Sequence, residues 1–318
     1  MVRDRSTVRL MMSLLMVLVV FGVYIFGFRV LVLLCLNNLL AFGIEYAFQK
    51  KRRQMVSMEV FITATIFTLI LPPRIPLDIS AMGIVFAVFF GKCVYGGTGY
   101  NVFNPAMVGR VFIHASFTKE MTVKWTQPFT EGVGGYGAFI GKSVSSISQA
   151  TPMLSFRWSG EEPDLIRLLL GFTGGCIGET SAALIILIGL ILLYKKIISK
   201  EIVTSIFLTY ILVSVIASGI FGSDVMSPLY GIFSGGLMFG GLLMATDPVT
   251  SPSTPMAKMI YGSVIGLVTF VLRHHSLYTG GVMYAVLIGN MLSPIIDIGV
   301  RRFNSSQYEA AQGGIDNV

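Results

Sequence analysis

Residues 171–181 read GFTGGCIGETS and run straight into an unbroken apolar stretch, Ala182 to Leu193. Gly174, Gly175 and Gly178 strip the backbone of side-chain bulk where a helix would begin, and Thr180 and Ser181 place two hydroxyls at its first turn. The free N–H groups at a helix N-terminus form a ready anion site, suited to a phosphate. The structural alternative is that Thr180 or Ser181 caps the helix and the glycines allow close packing. Glu179 lies beside this position, and a carboxylate next to a phosphate is unfavourable without a compensating cation.

A second constellation is Gly96, Gly97, Thr98, Gly99, Tyr100, Asn101, Phe103, Asn104 and Pro105; a third is Thr246, Asp247, Pro248, Val249, Thr250, Ser251 and Pro252. Both lie in apolar surroundings, where irregular backbone is tolerated only if it is buried in protein or lines a cavity. They read either as tight turns, since Asn-Pro and Asp-Pro start turns readily, or as two breaks that meet to form a cation site. Asp247 and Asn104 are the candidates for an ion pathway. Other ionisable residues within or at the edges of apolar segments are Glu45, Glu59, Lys92, Arg110, Lys258 and Asp297; positions near segment ends favour snorkelling or capping for most of them. Cys35, Cys93 and Cys176 form no CxxC pair, and His274 and His275 are adjacent rather than facing, so a cysteine-held cluster, a bis-histidine haem or any other metal site is not expected.

The elements that must position these residues follow from composition. Of 318 residues, 54% are hydrophobic and 12% charged, with mean hydropathy +0.77. A soluble domain carries about 25% charged residues, so this chain cannot clothe a water-soluble surface. An all-α polytopic membrane protein is expected, because the apolar stretches are continuous rather than alternating as in an outer-membrane barrel. Nucleic-acid binding is not expected despite the net charge of +7, since basic residues sit at segment ends rather than in one patch. Ten spans are predicted, at residues 9–28, 30–49, 56–72, 79–95, 101–115, 180–194, 202–220, 228–245, 256–272 and 279–299. The fifth contains a proline and an arginine and reads as short or broken.

Basic residues orient these spans. Arg3, Arg5 and Arg9, then Lys50 to Arg53, Lys195, Lys196 and Lys200, and finally Arg301 and Arg302 all fall on one face of an alternating layout, whereas the opposite turns carry few. Both termini are therefore expected in the cytoplasm. A long loop at 116–164, with GVGGYG at 132–137, lies on the outer face and separates a five-helix repeat at 1–115 from a second at 165–300, followed by a cytoplasmic tail at 301–318. Five spans per half make the two repeats inverted. GKCVYGG (91–97) and AKMIYGS (257–263) echo each other, a match that chance explains as well as ancestry does.

GGCIGETSA resembles the flavinylation segment of the membrane family that contains RnfD and NqrB. LPPRIPLD (71–78), FGKCVYGGTGYNVFNPAMVGR (90–110) and MATDPVTSP (244–252) are further family-like segments, in the expected order. The resemblance implies that Thr180 carries FMN through a phosphoester, with Gly175, Gly178, Glu179 and Ser181 around it. It also implies a non-covalent riboflavin, and a flavin at the meeting of the two breaks stands as an alternative to a cation there.

The function implied is a flavin-carrying membrane subunit of an Rnf-type ferredoxin:NAD oxidoreductase complex in the inner membrane of a prokaryote, which passes electrons and couples them to Na+ or H+ translocation. Its partners would be five other subunits, one with a second covalent FMN, together with membrane lipid and a flavin transferase for maturation. Neither a Rossmann fingerprint nor an iron–sulfur cysteine set is present for NAD or ferredoxin. The alternatives are a quinone-reducing NqrB-like subunit, which the chain's short N-terminus disfavours, and a solute channel of urea-channel-like fold.

Overall fold

The computed structural model describes residues 5–122, 125, 128–129, 151–160, 162–179, 181–222, 225–276 and 280–313, with side chains to residue 304. Thr180 and the 132–137 glycine patch lie outside the described residues. Every described element is helical. In chain order they are α1 (Arg5–Phe26), α2 (Arg29–Arg52), α3 (Glu59–Leu69), α4 (Leu77–Val88), α5 (Pro105–Ser116), α6 (Thr118–Thr122), α7 (Pro152–Ser159), α8 (Leu165–Leu170), α9 (Ala182–Tyr194), α10 (Lys200–Phe221), α11 (Pro228–Phe233), α12 (Leu237–Phe239), α13 (Pro255–His275) and α14 (Val282–Gly313). Two π-helical turns, Phe89–Cys93 and Gly240–Met244, extend α4 and α12.

Five helices are long and apolar enough to cross a membrane: α1, α2, α10, α13 and α14 as far as Asn304. Each has 21 to 24 residues in its span, about 31–36 Å at 1.5 Å per residue, which covers a hydrocarbon core of about 30 Å. The other five expected spans are helical too, but short or broken. α3 has 11 residues, about 16 Å, because Pro72 and Pro73 supply no N–H and end the helix. α5 starts four residues later than expected, at Pro105, since Asn104 caps it with an oxygen that accepts from Ala106 N and Met107 N. The stretch expected as one span at 228–245 breaks between α11 and α12, where Gly235 (φ 61°) and Gly236 (φ 72°) take left-handed backbone.

Loops assigned to one face by charge meet at one end of the bundle. Phe129 N donates to Ile25 O at the end of α1, Arg157 of α7 reaches the carbonyls of Arg273 and Ser276, and Ser227 N donates to Glu162. At the other end, Glu45 accepts from Ser57 N, and Asp297 accepts from Ser253 and Thr254. The GKCVYGG and AKMIYGS segments take different forms: the first closes a π-helical turn and enters a loop, the second is regular helix in α13. α14 continues unbroken to Gly313, so residues 301–313 prolong the last helix. α10 and α13 pack at backbone distance, since a Cβ on Gly266 would lie 2.5 Å from Ile206 O.

Candidate functional site

At the end of the bundle where α1 finishes, the prolines that stop α3 leave its last carbonyls without helical partners. Segment 171–181 supplies them: Gly178 N donates to Leu69 O at 2.7 Å and Ile177 N to Leu71 O at 3.1 Å. Gly178 is needed for that approach, because a Cβ there would sit 2.7 Å from Leu69 Cβ. Gly171, at φ 91°, closes α8 against the backbone of Ser181, where a Cβ would stand 2.9 Å from Ser181 N. Gly175 has room for a Cβ, which would meet Glu179 at an ordinary contact distance of 3.8 Å.

Ser181 is the N-cap of α9. Its hydroxyl donates to Leu169 O at 3.1 Å and accepts from Leu184 N at 3.4 Å. Ala182 and Ala183 open the helix, where N–H groups have no acceptor within the helix. Glu179 turns inward: its Oε1 accepts Cys176 N at 3.2 Å, and its other oxygen packs on Gly236. Glu179, Gly235, Gly236, Met283 and Arg110 line one small cavity of about 30 Å³. Arg110 is 8% exposed; its guanidinium donates to Cys176 Sγ at 3.2 Å and Met283 Sδ at 3.4 Å. The carboxylate that stands unexplained in the sequence thus shares a cavity with a buried cation.

Deeper toward the other end, the two irregular segments do meet. Asn104 Nδ2 donates to Met244 O at 3.4 Å, and Asn104 N donates to Asn290 Oδ1 at 3.1 Å. Asn290 Nδ2 reaches Thr250 O at 3.5 Å and Tyr261 Oη at 2.9 Å, so one amide of α14 ties both breaks together. Beside them Glu59, Thr63, Lys92, Asn101, Asn104 and Asp247 supply the polar lining of a cavity of about 50 Å³. Asp247 is half-buried, and its carboxylate accepts Val249 N at 3.4 Å.

Two ionisable groups expected to snorkel or cap do neither. Lys92 Nζ stands 2.8 Å from Glu45 Oε2, with side chains 3% and 0% exposed, and Arg110 is buried as described. Each finds a partner on another element, which no local pattern along the chain can pair. Asp297 behaves as expected, fastening Ser253 and Thr254 at the mouth of the bundle. Asn290 is absent from the residues that sequence singles out; its one signal is a lone amide inside the apolar run VLIGNML.

A multi-pass helical membrane protein with shortened spans and two broken segments that touch is the class these elements define. The chain belongs to the NQR2, RnfD, RnfE family, whose sequence model matches residues 2–305. It is 35% identical over 307 residues to the D subunit of the ion-translocating oxidoreductase complex of Actinobacillus succinogenes, covering 86% of each chain. It is 31% identical over 300 residues to the D subunit of the proton-translocating ferredoxin:NAD(+) oxidoreductase complex of Clostridium ljungdahlii, covering 92% of this chain and 90% of that one. Against the B subunit of the Na(+)-translocating NADH-quinone reductase of Azotobacter vinelandii it is 34% identical over 265 residues, covering 80% of this chain and 62% of the relative.

Proposed function

We propose that this chain is a membrane subunit of an ion-translocating oxidoreductase complex of the Rnf type, carrying FMN esterified to Thr180 and passing electrons between partner subunits. Membership of such a complex is what the similarity to the two D subunits supports; the fuller match to those proteins than to the NADH-quinone reductase protein favours the Rnf branch. The single observation that carries the cofactor reading is the fastening on both sides of position 180. Ile177 and Gly178 are held to the end of α3, and Ser181 is held as the cap of α9.

The residues present fit a phosphate at that position. The opening turn of α9 offers N–H groups to it, and Glu179 has its carboxylate engaged with Cys176 N instead of standing free. When bound, the flavin would supply one- and two-electron chemistry. The chain's own contribution is a rigid outer-end mount whose acidic neighbour is held inward. We place this end outside the cytoplasm of a prokaryotic inner membrane, with both termini inside, on the distribution of basic residues. Translocation of Na+ or H+ would use the cavity shared by Asn104 and Asp247, where the two breaks meet. The riboflavin implied by the resemblance has no residues assigned to it.

The test is the chain coexpressed with a flavin transferase and run on a denaturing gel. Wild type is expected to give a fluorescent flavin band and Thr180→Ala none. A band that survives Thr180→Ala would remove the site, and a wild type without a band would remove the cofactor.

A further inference from the structure

A cavity of about 270 Å³ opens at the outer end between α7, α10 and α13, sharing no lining residue with either cavity described above. Its polar lining includes Arg157 and Arg273, and its apolar walls are Met153, Val225, Met226 and Phe270. Arg273 is 3% exposed. Its guanidinium donates to the carbonyls of Gly231, Ser234 and Gly235 and to Tyr210 Oη, while its Nε, also buried, has no hydrogen-bond partner among the described residues. Arg157 donates to the carbonyls of Ser276 and Arg273. Among the described residues neither guanidinium meets a carboxylate, and none lines the cavity. Buried charges are ordinarily paired, so the buried Arg273, bonded only to neutral oxygens, leaves positive potential in this space, and the exposed Arg157 that lines the same space adds to it.

We infer that this cavity is a binding site for the phosphate headgroup of an anionic phospholipid of the outer leaflet. Depth and walls select the lipid over a free anion. Phe270, Arg273 and His274 belong to the last two turns of α13, a helix long enough to span the hydrocarbon, so the cavity lies at the membrane boundary. A free phosphate has no use for walls of methionine, valine and phenylalanine; an acyl-glycerol does. The volume is many times the roughly 15 Å³ that one water needs. This inference is independent of the flavin reading, because no residue of segment 171–181 lines the cavity.

The experiment is native mass spectrometry of the full chain in detergent, offered phosphatidylglycerol or phosphatidylethanolamine, with and without millimolar inorganic phosphate. Phosphatidylglycerol is expected to be retained about tenfold better, because the ammonium of phosphatidylethanolamine meets the two guanidinium groups as a like charge, and Arg157→Glu is expected to abolish the preference. Because Arg157 also fastens α7, a second readout leaves the arginines intact: photoreactive benzoylphenylalanine in place of Phe156, another lining residue, should cross-link to phosphatidylglycerol. Equal retention of the two lipids, an unchanged preference in Arg157→Glu, full displacement by inorganic phosphate, or no cross-link would each overturn the assignment.

Discussion

At the end of α3, segment 171–181 is fastened main chain to main chain, Gly178 and Ile177 hanging on carbonyls that Pro72 and Pro73 leave exposed. Around the cavity where the two breaks meet the fastening is by side chains: Asn290 holds both breaks and Glu45 holds Lys92. The first arrangement needs glycine at Gly171 and Gly178 and draws on one side chain, the hydroxyl of Ser181. The second depends on the chemistry of each partner, because a polar group in a water-free interior is costly once its partner is gone. The two regions should therefore respond to mutation in opposite ways.

The largest effect is expected at the ion pair. Lys92→Met leaves Glu45 buried without its cation and should cost about 3–5 kcal/mol, read as a fall in the thermal unfolding temperature of the purified chain in detergent. Adding Glu45→Leu should recover most of that loss; a double variant no better than the single would show that the pair is not the fastening. Asn290→Leu should cost about 1–3 kcal/mol, since it strips Asn104 N and Tyr261 Oη of their partner. In the assembled complex it should lower ion uptake per electron without changing covalent flavin content. Reduced flavin content in that variant would erase the separation between the two regions.

In segment 171–181, Gly178→Val should cost about 1–3 kcal/mol by overpacking against Leu69 and Phe239, and should reduce flavin attachment because segment and α3 are pushed apart. Gly175→Ala is the matched control, expected within about 0.5 kcal/mol and fully flavinylated, its new methyl having room. Ser181→Ala loses the cap of α9, worth about 1 kcal/mol, and should keep its flavin. If Ser181→Ala loses the label and Thr180→Ala does not, the two hydroxyls have been assigned the wrong way round.

What could be read from the chain alone follows the same division. Span positions, the faces on which loops meet and segment 171–181 are local properties: continuous apolar runs, basic residues at ends, glycines and hydroxyls at the start of a helix. Sequence also locates both broken segments, through Asn104-Pro105 and Asp247-Pro248, and the structure adds that they touch. The pairings are illegible there. Glu45 and Lys92 stand 47 positions apart, Asn104 and Asn290 186 apart, and no periodicity links them. Hydropathy overestimates span length for a different reason: Ile70 and Leu71 are as apolar as α3, but the prolines after them decide where the helix stops. Glu179 is puzzling in sequence because its relief, a neighbouring N–H and the cavity of Arg110, comes from folding.

The most direct measurement of the central claim is mass spectrometry of the proteolytic peptide that contains Thr180, taken from the chain as it matures in its native membrane. The account predicts added mass equal to FMN less one water, localised by fragmentation to Thr180 and not to Ser181. A peptide found only at its unmodified mass, or a label carried by another residue, would contradict it.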